Sequence, residues 1–304
     1  MSLATETGPV ADVVPEGGDV HDSGSVARLV MRTFLENRLA LIGLVIVVLV
    51  TLFCFIGPLF YKTNQIDSNL LAASLRPGGA HPLGTDDNGY DILGRLMAGG
   101  QSSIEVGISV ALIATSVGVL WGAIAGFVGG AVDAVMMRVV DVVLAIPVVF
   151  LFIFLASVIQ PTLLLLILVL ALLSWLGPAR LVRGETLSLR TREYVQATRV
   201  MGGGSWRAVL RHIVPNTIGT IIVNATFQVA DAILVLATLQ FLGFGLPPPT
   251  ATWGGMLANG TEYLFDGYWW MVYPAGILIV LTVLAFNFIG DGLRDSLEVR
   301  LQRR

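Results

Sequence analysis

The chain has 304 residues, of which 55% are hydrophobic and only 13% charged, and its mean hydropathy is +0.80; soluble globules carry about 25% charged residues. That composition excludes a water-soluble globule and implies an integral membrane protein. The formal net charge of −3 says nothing about partners, because the opposite charges fall on different sides of a membrane; nucleic-acid binding is not expected, and a single cysteine, Cys54, excludes an intrachain disulfide.

Residues 1–38 open with Glu6, Asp12, Glu16, Asp19 and Asp22 among Gly, Pro and Val. No positive segment precedes an early apolar core, so a cleavable signal peptide is not expected. The composition predicts a partly disordered tail, with Arg28 to Arg38 as a basic amphipathic entry to the first span. A helix needs about 20 apolar residues to cross a hydrocarbon layer of about 30 Å. Six stretches qualify, near 39–60, 103–127, 139–159, 162–178, 216–240 and 271–290, the third and fourth parted by Gln160-Pro161. With the N-terminus inside, 15 of the 18 basic residues fall on inner segments and only Lys62, Arg76 and Arg95 outside. The positive-inside rule therefore predicts an all-α membrane protein of six transmembrane helices with both termini cytoplasmic. The division that follows is a cytoplasmic tail over 1–38, a first transmembrane helix over 39–60, an extracytoplasmic loop over 61–102, a core over 103–291 and a cytoplasmic tail over 292–304.

The first outer loop holds H-P-L-G-T-D-D-N-G-Y-D. Its Pro and Gly content favours a turn-rich surface loop over a metal site at His81, and no metal is expected. Gly118, Gly122, Gly126 and Gly130 recur every fourth residue, which lets another helix approach closely. Asp133, Arg138 and Asp141 are spaced for a salt-bridged network that sets the angle between spans two and three.

The segment Glu193 to Asn216, E-Y-V-Q-A-T-R-V-M-G-G-G-S-W-R-A-V-L-R-H-I-V-P-N, lies between two apolar runs. Tyr194, Val195, Thr198 and Met201 share one face of a short helix, which Gly202, Gly203 and Gly204 break. Ser205 is placed to cap a second helix in which Trp206, Val209, Leu210 and Ile213 recur, and Pro215 is expected to stop its smooth continuation. Ringed by Arg192, Arg199, Arg207 and Arg211, this bent pair is too small for a domain and suits docking onto another protein. In the fifth span Asn224, Gln228 and Asp231 share a face. Two readings stand side by side there, a polar lining of a translocation path and plain interhelical hydrogen bonding. The last outer loop, Phe241 to Trp270, has no basic residue and is expected to pack over the outer mouth.

The only lysine is Lys62, so no G-x-x-x-x-G-K-[ST] phosphate loop exists, and His21, His81 and His212 form no H-E-x-x-H motif. Any ATP is hydrolysed by another chain.

These residues together resemble the inner-membrane permease subunits of ABC importers, in the dipeptide/oligopeptide/nickel branch. That family carries a cytoplasmic E-A-A-x3-G-x9-I-x-L-P loop, matched here by Gln196-Ala197-Thr198, Gly202 and His212-Ile213-Val214-Pro215. Gln196 stands where glutamate is usual, Thr198 where alanine is, and Val214 where leucine is. Further runs agree: H-P-L-G-T-D from His81, G-F-V-G-G-A-V-D with Arg138 and Asp141, Q-F-L-G-F-G-L-P-P-P-T-A-T-W-G-G-M-L from Gln240, and G-D-G-L-R-D-S-L from Gly290. Tyr90 and Gln240 stand where arginine and serine are more frequent.

The resemblance implies the type I importer permease fold and the role of second permease of a heterodimer in a bacterial inner membrane. It implies two ATPase subunits that bind ATP and Mg, an extracytoplasmic substrate-binding protein, and no cofactor or catalytic residue in this chain. A coupling loop over 179–215 would use Glu193, Gln196, Ala197, Thr198, Gly202, Gly203, Ser205, Trp206, Arg207, His212 and Pro215. The expected cargo is di- or oligopeptides, with nickel chelates or glutathione-like solutes as the same architecture's alternatives. The rival from another class is a proton-coupled secondary transporter that titrates Asp231.

Overall fold

A computed structural model describes residues 23–147, 150, 151, 154, 158–200, 207 and 209–302. Regular structure among them is helical, apart from an isolated antiparallel bridge between Thr85 and Asp91. The helices are α1 (Ser23–Glu36), α2 (Arg38–Phe60), α3 (Ile92–Val128), α4 (Gly130–Leu144), α5 (Leu163–Ser174), α6 (Leu176–Leu189), α7 (Glu193–Val200), α8 (Val214–Phe241), α9 (Trp253–Thr261) and α10 (Tyr273–Gln302). We term the end carrying residues 61–91 and 242–272 distal, and the end carrying 190–213 proximal.

Five segments among the described residues are long and apolar enough to cross a membrane: Arg38–Phe60, Ile92–Val128, Leu163–Leu189, Val209–Phe241 and Trp269–Leu297. The expected third span, 139–159, does not form one helix. α4 stops at Leu144, and Ala145 to Pro147 are non-helical, because Pro147 disfavours α geometry at Ile146 and offers no amide hydrogen. Residues 148, 149, 152, 153 and 155–157 of that stretch lie outside the described residues. The second span starts earlier than expected, at Ile92, so residues 92–102 are helical rather than loop. Asp91 begins that helix, its Oδ1 accepting the Gly94 amide at 2.8 Å. Likewise 179–189 extend the fourth span as α6.

Glycine sets the closest packing. A methyl group on Gly122 would sit 2.2 Å from the Ala179 carbonyl oxygen, and one on Gly118 or Gly126 would strike Pro178 or Thr186 at 2.6 and 2.8 Å. α3 and α6 therefore run side by side with backbones nearly touching. Gly130 takes no part; among the described residues nothing lies within 4 Å of its would-be Cβ.

Two prolines inside helices each remove the amide that would serve the carbonyl four residues earlier. Pro58 in α2 leaves the Cys54 carbonyl without its helical donor, and Gln101 Nε2 of α3 donates to it at 2.7 Å. Pro178 in α6 does the same to Ser174, and Gln228 Nε2 of α8 donates to that carbonyl at 2.8 Å. The second site coincides with the joint at Trp175 between α5 and α6, where Trp175 packs edge-on against Trp121 at 5.0 Å.

The largest core cluster joins α2, α3, α8, α9 and α10 through residues such as Val50, Ile104, Ile233, Trp253 and Ile279. Trp253 is fully buried and donates Nε1–H to the Leu96 carbonyl at 2.9 Å. α1 lies against α10, with Asn37 both capping α2 through the Leu39 and Ala40 amides and donating to Asp295 at 3.3 Å.

Candidate functional site

At the proximal end α7 forms over Glu193–Val200, and a five-residue π turn, Val209–Ile213, leads without a break into α8. Pro215 thus does not end the second short helix as the sequence suggested. It occupies the first turn of α8, where its missing amide costs nothing. The wider turn before it accommodates the ring that an α turn would press on the Arg211 carbonyl. Gly202, Gly203, Ser205 and Trp206 lie outside the described residues, as do the side chains of Ala197 and Thr198.

The anchor of this segment is Val195, 0% exposed, which packs with Val119, Phe127, Val182, Val209 and Ile213. Tyr194 beside it is 43% exposed and Leu210 is 54% exposed, so only part of each apolar face is spent on the bundle. Glu193, Gln196 and Arg207 are also exposed, with Gln196 Nε2 donating to the Thr191 carbonyl at 3.1 Å. The Tyr194 and His212 rings lie 6.1 Å apart and tie α7 to the π turn. The segment is therefore fixed to the bundle by one apolar face and presents mixed polar and apolar side chains outward.

Two ion pairs brace it. Arg183 of α6 makes a two-point contact to Asp133 of α4, Nε–Oδ1 2.5 Å and Nη2–Oδ2 2.7 Å. Arg180 contacts Asp141 at 2.5 Å. The expected network through Arg138 is thus replaced by one that joins α4 to α6, the helix leading directly into α7. The Arg183 hydrogen bond holds the Asp133 carboxyl below its usual range, against the opposing effect of desolvation. Arg190 adds a hydrogen bond to the Gly126 carbonyl at 3.0 Å.

The polar residues of α8 separate. Gln228 serves Ser174, Asp231 is exposed on the bundle surface, and Asn224 Oδ1 is buried without a partner among the described residues.

At the distal end the run from His81 is turn-rich, as expected, but part of it is packed as a frame against the bundle and not laid on the surface. Thr85, Tyr90 and Asp91 are buried. Asp91 Oδ2 accepts the Tyr61 hydroxyl at 2.9 Å and lies 2.9 Å from His81 Nδ1. Burial, together with that carboxylate, pushes the Tyr61 phenol up to about 12. No group of metal-ligating side chains forms among the described residues. Arg95, stacked 4.0 Å over the Tyr90 ring, donates to the Pro249 carbonyl at 2.6 Å and ties this frame to the 241–270 segment. Trp270 Nε1 donates to the Thr85 carbonyl at 3.2 Å.

Sequence reasoning missed Arg180, Arg183, Gln101 and Arg95. A signal for Gln101 existed: a proline within an apolar run requires a donor elsewhere. The ion partners had no local signal, since they lie 39 and 50 residues from Asp141 and Asp133.

The family profile described as the binding-protein-dependent transport system inner membrane component matches residues 118–303. The N-terminal transmembrane domain of oligopeptide transport permease C matches residues 25–77. The chain is 40% identical over 273 residues to the oligopeptide transport system permease protein OppC of Bacillus subtilis, covering 90% of this chain and 89% of that one. It is 43% identical over 284 residues to a putative peptide permease protein of Brucella suis, covering 92% and 93%. To the dipeptide transport system permease protein DppC of Bacillus subtilis it is 36% identical over 272 residues, covering 90% and 85%. The distal frame, the glycine-packed helices and the proximal helical segment are thus those of a chain that belongs to the family of binding-protein-dependent transport inner membrane components.

Proposed function

We propose that this chain is a permease subunit of an ATP-driven importer of di- or oligopeptides in a bacterial inner membrane. Its similarity over about nine-tenths of its length to oligopeptide and dipeptide transport permeases carries the reading. In it the chain crosses the membrane six times, and both termini and the proximal end are cytoplasmic, as the distribution of basic residues suggests. A second, homologous permease completes the pathway, and Asp231 on the exposed face of α8 lies toward it. Two ATPase subunits bind ATP and Mg and dock on α7 and the π turn, and an extracytoplasmic binding protein delivers the peptide at the distal end.

The anchored Val195 supports this coupling role. A pull on the outward face of α7 is transmitted to α3 and α6 because the buried side chain has no room to slip. The chain itself performs no bond chemistry.

The test is reconstitution of all four kinds of subunit in proteoliposomes. Labelled tri-alanine should accumulate with ATP and the binding protein, and Asp231→Asn should leave most of that uptake in place. Uptake driven by an imposed proton gradient without ATP, and abolished by Asp231→Asn, would instead establish a secondary transporter. Cysteines at Asn69 and Glu262 should react with an impermeant reagent from outside and one at Gly203 should not; the reverse pattern sinks the assigned orientation.

A further inference from the structure

A cavity of about 320 Å³ opens at the distal end between the 86–95 frame and the 240–260 segment, large enough for a small organic ligand. Its lining combines Asp86, Asp87, Arg95 and Gln240 with the apolar Leu246 and Met256.

The charges do not cancel. Asp86 Oδ1 accepts the Asn88 and Tyr90 amides at 3.0 and 2.8 Å, and its Oδ2 lies 3.7 Å from Arg95 Nε. Arg95 is spent on Asp86, on the Pro249 carbonyl and on the Tyr90 ring. Asp87 meets only the Tyr263 hydroxyl, at 3.5 Å, and forms no ion pair among the described residues. The cavity therefore carries one surplus negative charge, a place for one cation.

A second observation points to a ligand independently of charge. Gln240 is only 3% exposed; its Oε1 accepts the Gly255 amide at 3.1 Å, while its Nε2 is buried with no acceptor among the described residues. A buried donor left unserved costs free energy that a bound acceptor recovers. A ligand that carries both an ammonium group and a carbonyl serves both residues of this lining, and the amino-terminal part of a peptide carries both.

We propose that this cavity is a peptide-binding subsite of the permease, taking the free amino terminus of a short peptide with its ammonium at Asp87 and a carbonyl at Gln240 Nε2. The assignment rests on the peptide-importer reading above. It gives the peptide a holding point on the permease between the binding protein and the membrane pathway.

The assembled transporter, in lipid nanodiscs and without its binding protein, should be titrated with tri-alanine by saturation-transfer NMR, which reads millimolar affinities. Saturable binding is expected. N-acetylation of the peptide, Asp87→Asn and Gln240→Leu should each weaken it about tenfold. Gly255 keeps Thr252 Oγ1 at 3.2 Å as an acceptor in the leucine variant, so its turn is retained; Asp87→Asn gives an independent reading if that variant fails to assemble. No saturable binding to the unmodified transporter up to about 10 mM, or binding indifferent to N-acetylation and to Asp87→Asn, overturns the proposal. Absent peptide binding together with weaker association of the binding protein in Asp87→Asn also overturns it, and makes a protein loop the occupant. ATP-driven uptake, measured on the same preparation, separates the two levels: uptake without direct binding removes the subsite and leaves the importer reading standing, while absent uptake strikes that reading and leaves the titration to decide the subsite.

Discussion

Asp133 and Arg183 show how one pair of side chains holds two helices at a set angle. Asp133 is 9% exposed and meets a planar guanidinium at two points, so the pair is partly desolvated and geometrically exact in the way arginine favours. Its partner depresses the native pKa below the unfolded value of 3.8. A depressed carboxylate stabilises the native state above the unfolded pKa, and that contribution is lost as pH falls through the native pKa. Thermal unfolding of the purified chain followed from about pH 7 to about pH 3 should therefore show a stability loss below about pH 4. Asp133→Asn should cost about 1–3 kcal/mol at neutral pH and flatten that slope. A variant with an unchanged acid profile would remove the pair from this role. Gly122 makes a second residue-scale case. A methyl group there meets the Ala179 carbonyl oxygen at 2.2 Å, so Gly122→Ala should destabilise by about 1–3 kcal/mol, measured by unfolding in detergent, whereas Gly177→Ala, with open space at its Cβ, should not suffer this clash.

At the scale of elements, the paired use of proline and glutamine ties neighbouring helices together. Gln101→Leu should cost about 1–3 kcal/mol because the Cys54 carbonyl loses its replacement donor. In a Pro58→Ala background the alanine amide serves that carbonyl again, so the same substitution should cost much less; a double-mutant cycle with no coupling refutes the pairing. Elements such as these mark what the sequence made legible. The stripe from Gly118 to Gly130 was readable as a close-approach surface, but whether a helix of the bundle or a lipid or partner groove used it, which helix that was, and that Gly130 takes no part were not. The lengths of α3 and α6 were not readable. Hydropathy ends where charged residues begin, whereas a helix continues through Arg95 and Arg183 once tertiary partners take up their charge. Pro215 was misread because a proline at a helix start and one at a helix stop look alike until the preceding turn is known. Val195 and Leu210 also differ, one buried and one exposed, because spacing marks a shared face and not whether the bundle or another chain covers it.

Across the whole molecule, α3 at 37 residues is about 55 Å long, well beyond the hydrocarbon layer of about 30 Å. It runs from the distal frame at Asp91 to the cluster that seats Val195. A rigid rod of that length joins the two ends of the molecule, and the proposed coupling surface sits at its foot. Tyr194→Asp and Leu210→Asp change exposed positions, so membrane levels of the chain should stay normal. Recovery of ATPase subunits in pull-downs should fall, by a loss of about 2 kcal/mol at each position that anchors the contact; undiminished recovery in both would place the ATPases elsewhere. The proline and glutamine pairs also bear on how this molecule is made. Cys54 precedes its donor by 47 residues, and Ser174 precedes Gln228 by 54. While α2 alone is in the lipid its freed carbonyl is unserved, and α3 alone would bring in a bare amide; each liability disappears only when the two lie together. The unit whose polar groups are satisfied in lipid is accordingly the hairpin and not the single helix, so the spacing of these residues along the chain matters to assembly as well as to the finished fold.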